Sequence, residues 1–200
     1  MEDRIHILIV DDEALIAEDI RDICETLPST VCDTAFNAGQ ALNALESFQP
    51  ALVLLDINLS DELDGTEIAS RLEELSIPYI FITSYSDEKT LAKVKRLSPL
   101  GYIVKPFIKH QITSSVSLAI DQIGKGKREK SIDNWLEKEE VSLTQREYSI
   151  LLSILKGQNT KGISAYLGMS VNTVKYHLKN IFLKFDVHSK AELIARYSNY

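Results

Sequence analysis

Four apolar runs in this 200-residue chain end in residues that can do chemistry. Ile5 to Val10 stops at Asp11-Asp12, Ala51 to Leu55 at Asp56, Ile77 to Ile82 at Thr83-Ser84, and Leu100 to Val104 at Lys105-Pro106. Short apolar runs between helical stretches read as buried parallel strands, and open α/β sheets bind ligands outside their carboxyl ends. Three carboxylates, a hydroxyl and a lysine are therefore expected in one cleft. Asp56 is the candidate nucleophile, because a carboxylate that attacks a phosphoryl group becomes an acyl phosphate. Such a transfer needs in-line positioning and neutralisation of the equatorial oxygens. Asp11 and Asp12 repel phosphate, so they make sense as Mg²⁺ ligands, with Asp56 and a backbone carbonyl such as that of Asn58 completing the set. Lys105 supplies a point charge and Thr83 a hydroxyl donor. Each residue alone has an ordinary structural reading, and their recurrence at successive strand ends favours a site.

The elements that must position these groups follow from periodicity. Ile16, Ile20, Ile23, Cys24 and Leu27 recur at helical spacing before Pro28, and Val31 to Phe36 reads as a strand. Helices are expected over Ala38 to Phe48, Gly65 to Leu75 and about Asp87 to Leu97. A last helix of this half carries Ile108, Ile112, Val116, Ala119, Ile120 and Ile123. Residues 1–123 thus read as an α/β, doubly wound domain of five βα units. Gly124 to Lys130 holds two glycines and five charges and reads as a hinge or linker. Ile132, Trp135 and Leu136 share one face, so the 124–141 linker includes a short amphipathic helix able to dock on either domain.

Residues 142–200 read as all helix. Thr144 and Glu147 make a capping box for Gln145 to Lys156, which ends at Gly157. A short helix over Thr160 to Leu167 closes at Gly168, and Ser170 caps a longer one over Val171 to Phe185. A final helix covers Lys190 to Tyr197. A short helix, a glycine turn and a longer basic helix form a helix-turn-helix. In the longer one Val174, Leu178, Ile181 and Phe185 form the buried stripe, leaving Lys175, Tyr176, Lys179 and Lys184 on other faces. Charge agrees. Residues 1–120 carry 20 acidic and 9 basic side chains, whereas residues 141–200 carry 3 and 8, so the tail is the part suited to a polyanion.

On these residues the first half resembles the receiver domain of bacterial two-component response regulators: Asp11-Asp12, Asp56, Thr83, Tyr102 and Lys105-Pro106 fall where that family has its motif. The resemblance implies a flavodoxin-like fold in which Asp56 takes a phosphoryl group from a cognate histidine kinase. It also implies that Thr83 and Tyr102 move together as a switch beside the fifth strand, and that the Lys105-Pro106 peptide is cis. The loop from Asp56 to Gly65 is one residue longer than the commonest family version, with Ser60 where proline is frequent. Residues 142–198 resemble the LuxR/FixJ (NarL-like) helix-turn-helix through Leu143 to Glu147, Gly157, Ile163, Leu167 to Ser170, Thr173 to Lys175, Asn180-Ile181, Lys184-Phe185 and Val187. That likeness implies base contacts from Lys175, Tyr176 and Lys179, and phosphate contacts from Thr160, Lys161, Asn172 and Thr173. Gly162 departs from a usual charged residue, and His177 reads as a packing or phosphate-facing residue.

Rival readings fail on the same residues. A haloacid-dehalogenase-type phosphatase needs a second carboxylate two residues after the nucleophile, where this chain has Asn58. A dinucleotide-binding fold needs a glycine-rich turn where Asp11-Asp12-Glu13 stands. A sigma-factor region would not need the last helix, whose Leu193, Ile194 and Tyr197 read as a dimer face. Cys24 and Cys32 suit buried thiols rather than a metal or disulfide framework. No run reaches membrane-spanning length, so a cytoplasmic protein without membrane attachment is expected. The whole reads as a DNA-binding transcription factor, a homodimer on phosphorylation or DNA binding, and not a turnover enzyme.

Overall fold

The computed structural model describes residues 4–59, 64–84, 94 and 96–200. They divide into two compact units, Met1–Gly126 and Lys127–Tyr200.

The first unit is built on five parallel strands: β1 (Ile5–Val10), β2 (Thr30–Ala35), β3 (Leu52–Asp56), β4 (Tyr79–Thr83) and β5 (Gly101–Val104). Their spatial order is β2-β1-β3-β4-β5. Central strands β3 and β4 are buried at every position, the condition under which a parallel strand reads as a continuous apolar run. Side chains alternate between the two faces. Leu8, Val10, Val53, Leu55, Tyr79 and Phe81 meet α2 (Ala38–Ser47) and α3 (Gly65–Glu74). Ile7, Ile9, Leu52, Leu54, Ile80 and Ile82 meet α1 (Ala14–Cys24) and the first half of α4 (Lys109–Lys138). Cys24 and Cys32 are free, buried thiols on this second face. The helix expected from about Asp87 to Leu97 falls largely outside the described residues, as does Ser60.

The second unit packs four further helices: α5 (Gln145–Leu155), α6 (Thr160–Leu167), α7 (Val171–Lys184) and α8 (Lys190–Ser198). Local chemistry sets their ends. The Thr144/Glu147 capping box forms as read, Asn159 and Ser170 cap α6 and α7, and Gly168 closes α6 at φ 62°.

Two expectations are refined. The glycine-containing stretch 124–130, read as a hinge or linker, is helical within α4, and the boundary between the two units falls inside it. Each helical glycine costs up to about 1 kcal/mol, but the surrounding Lys, Arg and Glu are good helix formers and packed turns on either side extend the helix. The last turns of α4 also choose a partner: Ile132 and Trp135 are fully buried in the helical unit's core. Trp135 stacks on Phe185 at 4.7 Å, Tyr148 donates to Asp133 at 2.8 Å, and Arg196 pairs with Glu139. The second concerns α8, where Leu193 is buried and the partly buried Ile194 and Tyr197 pack on that same core. The stripe read as a dimer face thus contributes in part to the domain's own core, which is small and draws on those side chains to close its open side, while Ile194 and Tyr197 stay partly exposed.

Candidate functional site

Strand register brings the predicted cleft together. Val10 is level with Leu55, Asp56 with Ile82, and Thr83 with Val104. The residues following β1 and β5, Asp11 and Lys105, therefore meet Asp56 and Thr83 at one edge. Asp11 is fully buried, Asp56 and Thr83 nearly so. Carboxylate oxygens of Asp11, Asp12 and Asp56 lie within 4.8 Å of one another. The Lys105 ammonium stands 2.6 Å from Asp56 Oδ2, 2.7 Å from Asp11 Oδ2 and 3.6 Å from Glu13 Oε1. Asp11 Oδ1 accepts the N–H of Glu13, and Asp56 Oδ1 that of Asn58, each at 3.0 Å. The Lys105-Pro106 peptide is cis, as the resemblance implies.

Electrostatics here are strained by design of the donor set. Burial pushes the Asp11 carboxyl above its ordinary range despite the neighbouring Lys105 ammonium. Burial acts against the charge on Lys105 too, but the Asp11 and Asp56 carboxylates outweigh it and raise its affinity for a proton. Although Lys105 lies at ion-pair distance from Asp11 Oδ2, that buried oxygen has no partner in hydrogen-bonding geometry among the described residues. Three clustered carboxylates against one ammonium, with an oxygen still able to accept, suit a divalent cation with oxygen ligands.

Two features at this edge escape sequence reasoning. Glu13 adds a further carboxylate near Lys105. Gly65 is forced by space: a Cβ there would lie 2.0 Å from the Asp56 carbonyl oxygen and 2.8 Å from Ile57 Cα. Its N–H donates to the Ile57 carbonyl at 3.0 Å, so the start of α3 rests directly on the backbone beside Asp56. The available signal was a glycine, a poor helix former, placed directly after a capping-box residue: Asp64 accepts from Thr66 and Glu67, and Glu67 accepts from Asp64. Tyr102, expected as a switch residue, is half exposed on β5, its ring stacked on Phe81 at 5.9 Å.

In the helical unit Val174, Leu178, Ile181 and Phe185 are buried as expected. Asn172, Thr173, Lys175, Tyr176 and Lys179 are exposed along α7, with Lys161 exposed and Thr160 half-buried at the start of α6. Lys175 and Lys179 share a face one turn apart. His177 is half-buried with its ring against Tyr176. Lys184 turns inward instead: its ammonium binds the buried Glu147 carboxylate at 2.8 Å and the Ser142 carbonyl at 2.9 Å. Burial alone would raise the Glu147 carboxyl, but the Lys184 ammonium and the Thr144 cap hold it below the ordinary range.

Comparisons with known proteins agree with this geometry. Residues 7–117 match the model of the response regulator receiver domain, and residues 141–197 that of the bacterial regulatory proteins of the luxR family. The transcriptional regulatory protein YdfI of Bacillus subtilis strain 168 is 27% identical over 198 residues, covering 94% of this chain and 92% of its own. The signal receiver domain of a modulated diguanylate cyclase from Desulfovibrio desulfuricans G20 superposes with a TM-score of 0.57 at 34% identity, over 62% of this chain and 99% of that one. Full-length FixJ from B. japonicum shares the fold across 98% of both chains, with a TM-score of 0.55 at 21% identity. Receiver domains interact with histidine kinases and typically bind Mg²⁺ at an acidic pocket, and luxR-type domains bind DNA. Among the described residues no helix is long and apolar enough to cross a membrane. The chain thus belongs to the response regulators that join a receiver to a LuxR-type DNA-binding domain, and it is a transcriptional regulator of two-component signalling rather than a turnover enzyme.

Proposed function

We propose that Asp56 is the phosphoacceptor and that its phosphorylation controls DNA binding by α7. The observation that carries this is the Lys105 ammonium held between Asp56 and Asp11 beside a third carboxylate. An Asp56 oxygen attacks the phosphorus of the donor's phosphohistidine, the new P–O bond forms, and the P–N bond breaks with its electron pair left on the imidazole. Lys105 and the Thr83 hydroxyl are the donors for the phosphoryl oxygens. A Mg²⁺ ion held by Asp11, Asp12, Asp56 and the Asn58 carbonyl would supply the remaining neutralisation. The Lys105 contacts to Asp11 and Asp56 then have to open, which ties the new charge to a rearrangement at the strand ends.

As Thr83 moves toward the phosphoryl group it vacates space beside β5, and Tyr102 rotates inward from its half-exposed position. Burial of that ring, roughly 1–2 kcal/mol, makes the active arrangement a population shift. On DNA, Lys175, Tyr176 and Lys179 read base edges, while Thr160, Lys161, Asn172 and Thr173 hold phosphates. A dimer on phosphorylation or operator binding lets two recognition helices read two half-sites. We also infer that residues 127–141 act with the DNA-binding domain, since Trp135 belongs to its core, and that the protein works in the cytoplasm.

The test is intact-mass measurement after acetyl phosphate and Mg²⁺. An adduct of about 80 Da that hydroxylamine removes, lost in Asp56→Asn, supports the reading. Thr83→Ala should label yet respond weakly in DNA affinity, and Asp12→Ala should label poorly even in excess Mg²⁺. Full donor-dependent activation of Asp56→Asn would leave a receiver that serves only to bind partners.

A further inference from the structure

Two cations of the helical unit are each paired with a carboxylate: Lys184 with Glu147 and Arg196 with Glu139. Lys190 differs. This half-buried residue donates from its ammonium to the neutral hydroxyl of Thr160 at 3.1 Å, and no described carboxylate stands within 4.0 Å of it. The acid nearest in sequence, Glu192, is committed elsewhere, accepting from the N–H of His188 at 2.8 Å. A partly desolvated cation normally acquires a counter-charge. Burial accordingly weakens the hold of Lys190 on its proton.

Its position also argues against a role in stability. Lys190 is the first residue of α8, where the helix dipole disfavours a positive side chain. The contact instead carries the charge across to Thr160, the first residue of α6, beside the exposed Lys161. In a helix-turn-helix the first helix crosses the DNA backbone while the second lies in the groove. A cation held at the start of that first helix is therefore placed where phosphates pass.

We propose that Lys190 is a DNA-contacting residue of this regulator, its ammonium steered by the Thr160 hydroxyl onto a backbone phosphate that serves as its missing counter-charge. The contact is independent of base sequence and links α8 to the nucleic acid. It rests on the phosphate roles given above to Thr160 and Lys161.

The experiment uses the full chain, with and without acetyl phosphate treatment, and a fluorescein-labelled random-sequence duplex of about 30 base pairs, read by anisotropy from roughly 50 to 200 mM KCl. Lys190→Gln should lower the slope of log affinity against log salt by about 0.9, and weaken binding several-fold near the lower salt. Its thermal midpoint should be unchanged or higher. Lys156→Gln, an equal loss of charge at an exposed position at the end of α5, should leave the slope near the parent's. A parental slope in Lys190→Gln would overturn the proposal, as would a fall in thermal midpoint large enough to account for the lost binding. If the parent chain shows no salt-dependent binding to any duplex, every DNA-contact role falls with this one. A loss confined to Lys161→Gln, with Lys190→Gln unchanged, would sink the Lys190 contact alone.

Discussion

Replacing Gly65 by alanine tests how closely α3 is set against Asp56, the proposed nucleophile. The added Cβ would sit 2.0 Å from the Asp56 carbonyl oxygen, where ordinary contact begins at 3.4 Å, so the two must part by about 1.4 Å. Neither neighbour can rotate away, since Asp56 O, Asp56 C and Ile57 Cα are all backbone. Asp56 ends a fully buried strand, and Ile57 is itself buried in the core. The displacement therefore falls on the start of α3 or on Asp56, and the 3.0 Å bond from Gly65 N–H to the Ile57 carbonyl breaks either way. Overpacking of about 1–3 kcal/mol plus roughly 1 kcal/mol for the lost bond makes a destabilisation of about 2–4 kcal/mol. A reacting group misplaced by about 1 Å can lose on the order of 100-fold in rate. The assay is the rate of adduct formation with acetyl phosphate and saturating Mg²⁺ by intact mass, alongside urea unfolding. Gly39→Ala is the matched control, because a Cβ there meets only Asn37 Oδ1 at 3.5 Å. Gly65→Ala labelling within about twofold of the parent, with an unchanged unfolding midpoint, would refute the close-approach argument.

Further consequences can be measured in parallel. Lys179→Ala should cost about 1–3 kcal/mol at the operator and relax one base position, whereas Lys161→Ala should weaken all sequences alike and lower the salt slope by about 1; gel-shift titrations that find both variants intact would reject the α7 assignment. Because the Glu147 carboxyl is held low, its contribution is complete above the ordinary glutamate value of about 4.3 and lost as pH falls through its lower folded value. Lys184→Met should cost roughly 1–3 kcal/mol near neutrality, less than a fully buried pair because Lys184 is partly exposed, and should flatten acid unfolding below about pH 4. Phe185→Ala removes the ring stacked on the single tryptophan, so fluorescence-monitored unfolding should show a loss of about 3–5 kcal/mol in the helical unit that holds it. Gly162→Ala should raise the thermal midpoint through a gain of up to about 1 kcal/mol, since its Cβ meets nothing closer than Asn159 Oδ1 at 3.5 Å.

What the chain alone determined is local in range. Apolar runs ending at Asp11, Asp56, Thr83 and Lys105 announce strands and the edge they share, because a parallel sheet aligns its carboxyl ends whatever the rest of the chain does. Thr144 with Glu147, and Ser170 before α7, mark helix starts within three or four residues, so the element ends were legible. Partner choice was not. Lys184 shares its helix with Lys175 and Lys179, and only a carboxylate 37 residues away turns it inward. Leu193, Ile194 and Tyr197 make a stripe that would serve equally well between two copies, and the core of the helical unit buries Leu193 fully and the other two in part. Trp135 could pack on either unit until Phe185 and Tyr197 surround it. Gly124 and Gly126 carry the local signature of a hinge, yet good helix formers and packed turns around them keep the chain helical. Gly65 shows the limit most clearly: no pattern of side chains records that the backbone of Asp56 and Ile57 occupies the space a Cβ would need, since that proximity exists only once β3 and α3 are folded together.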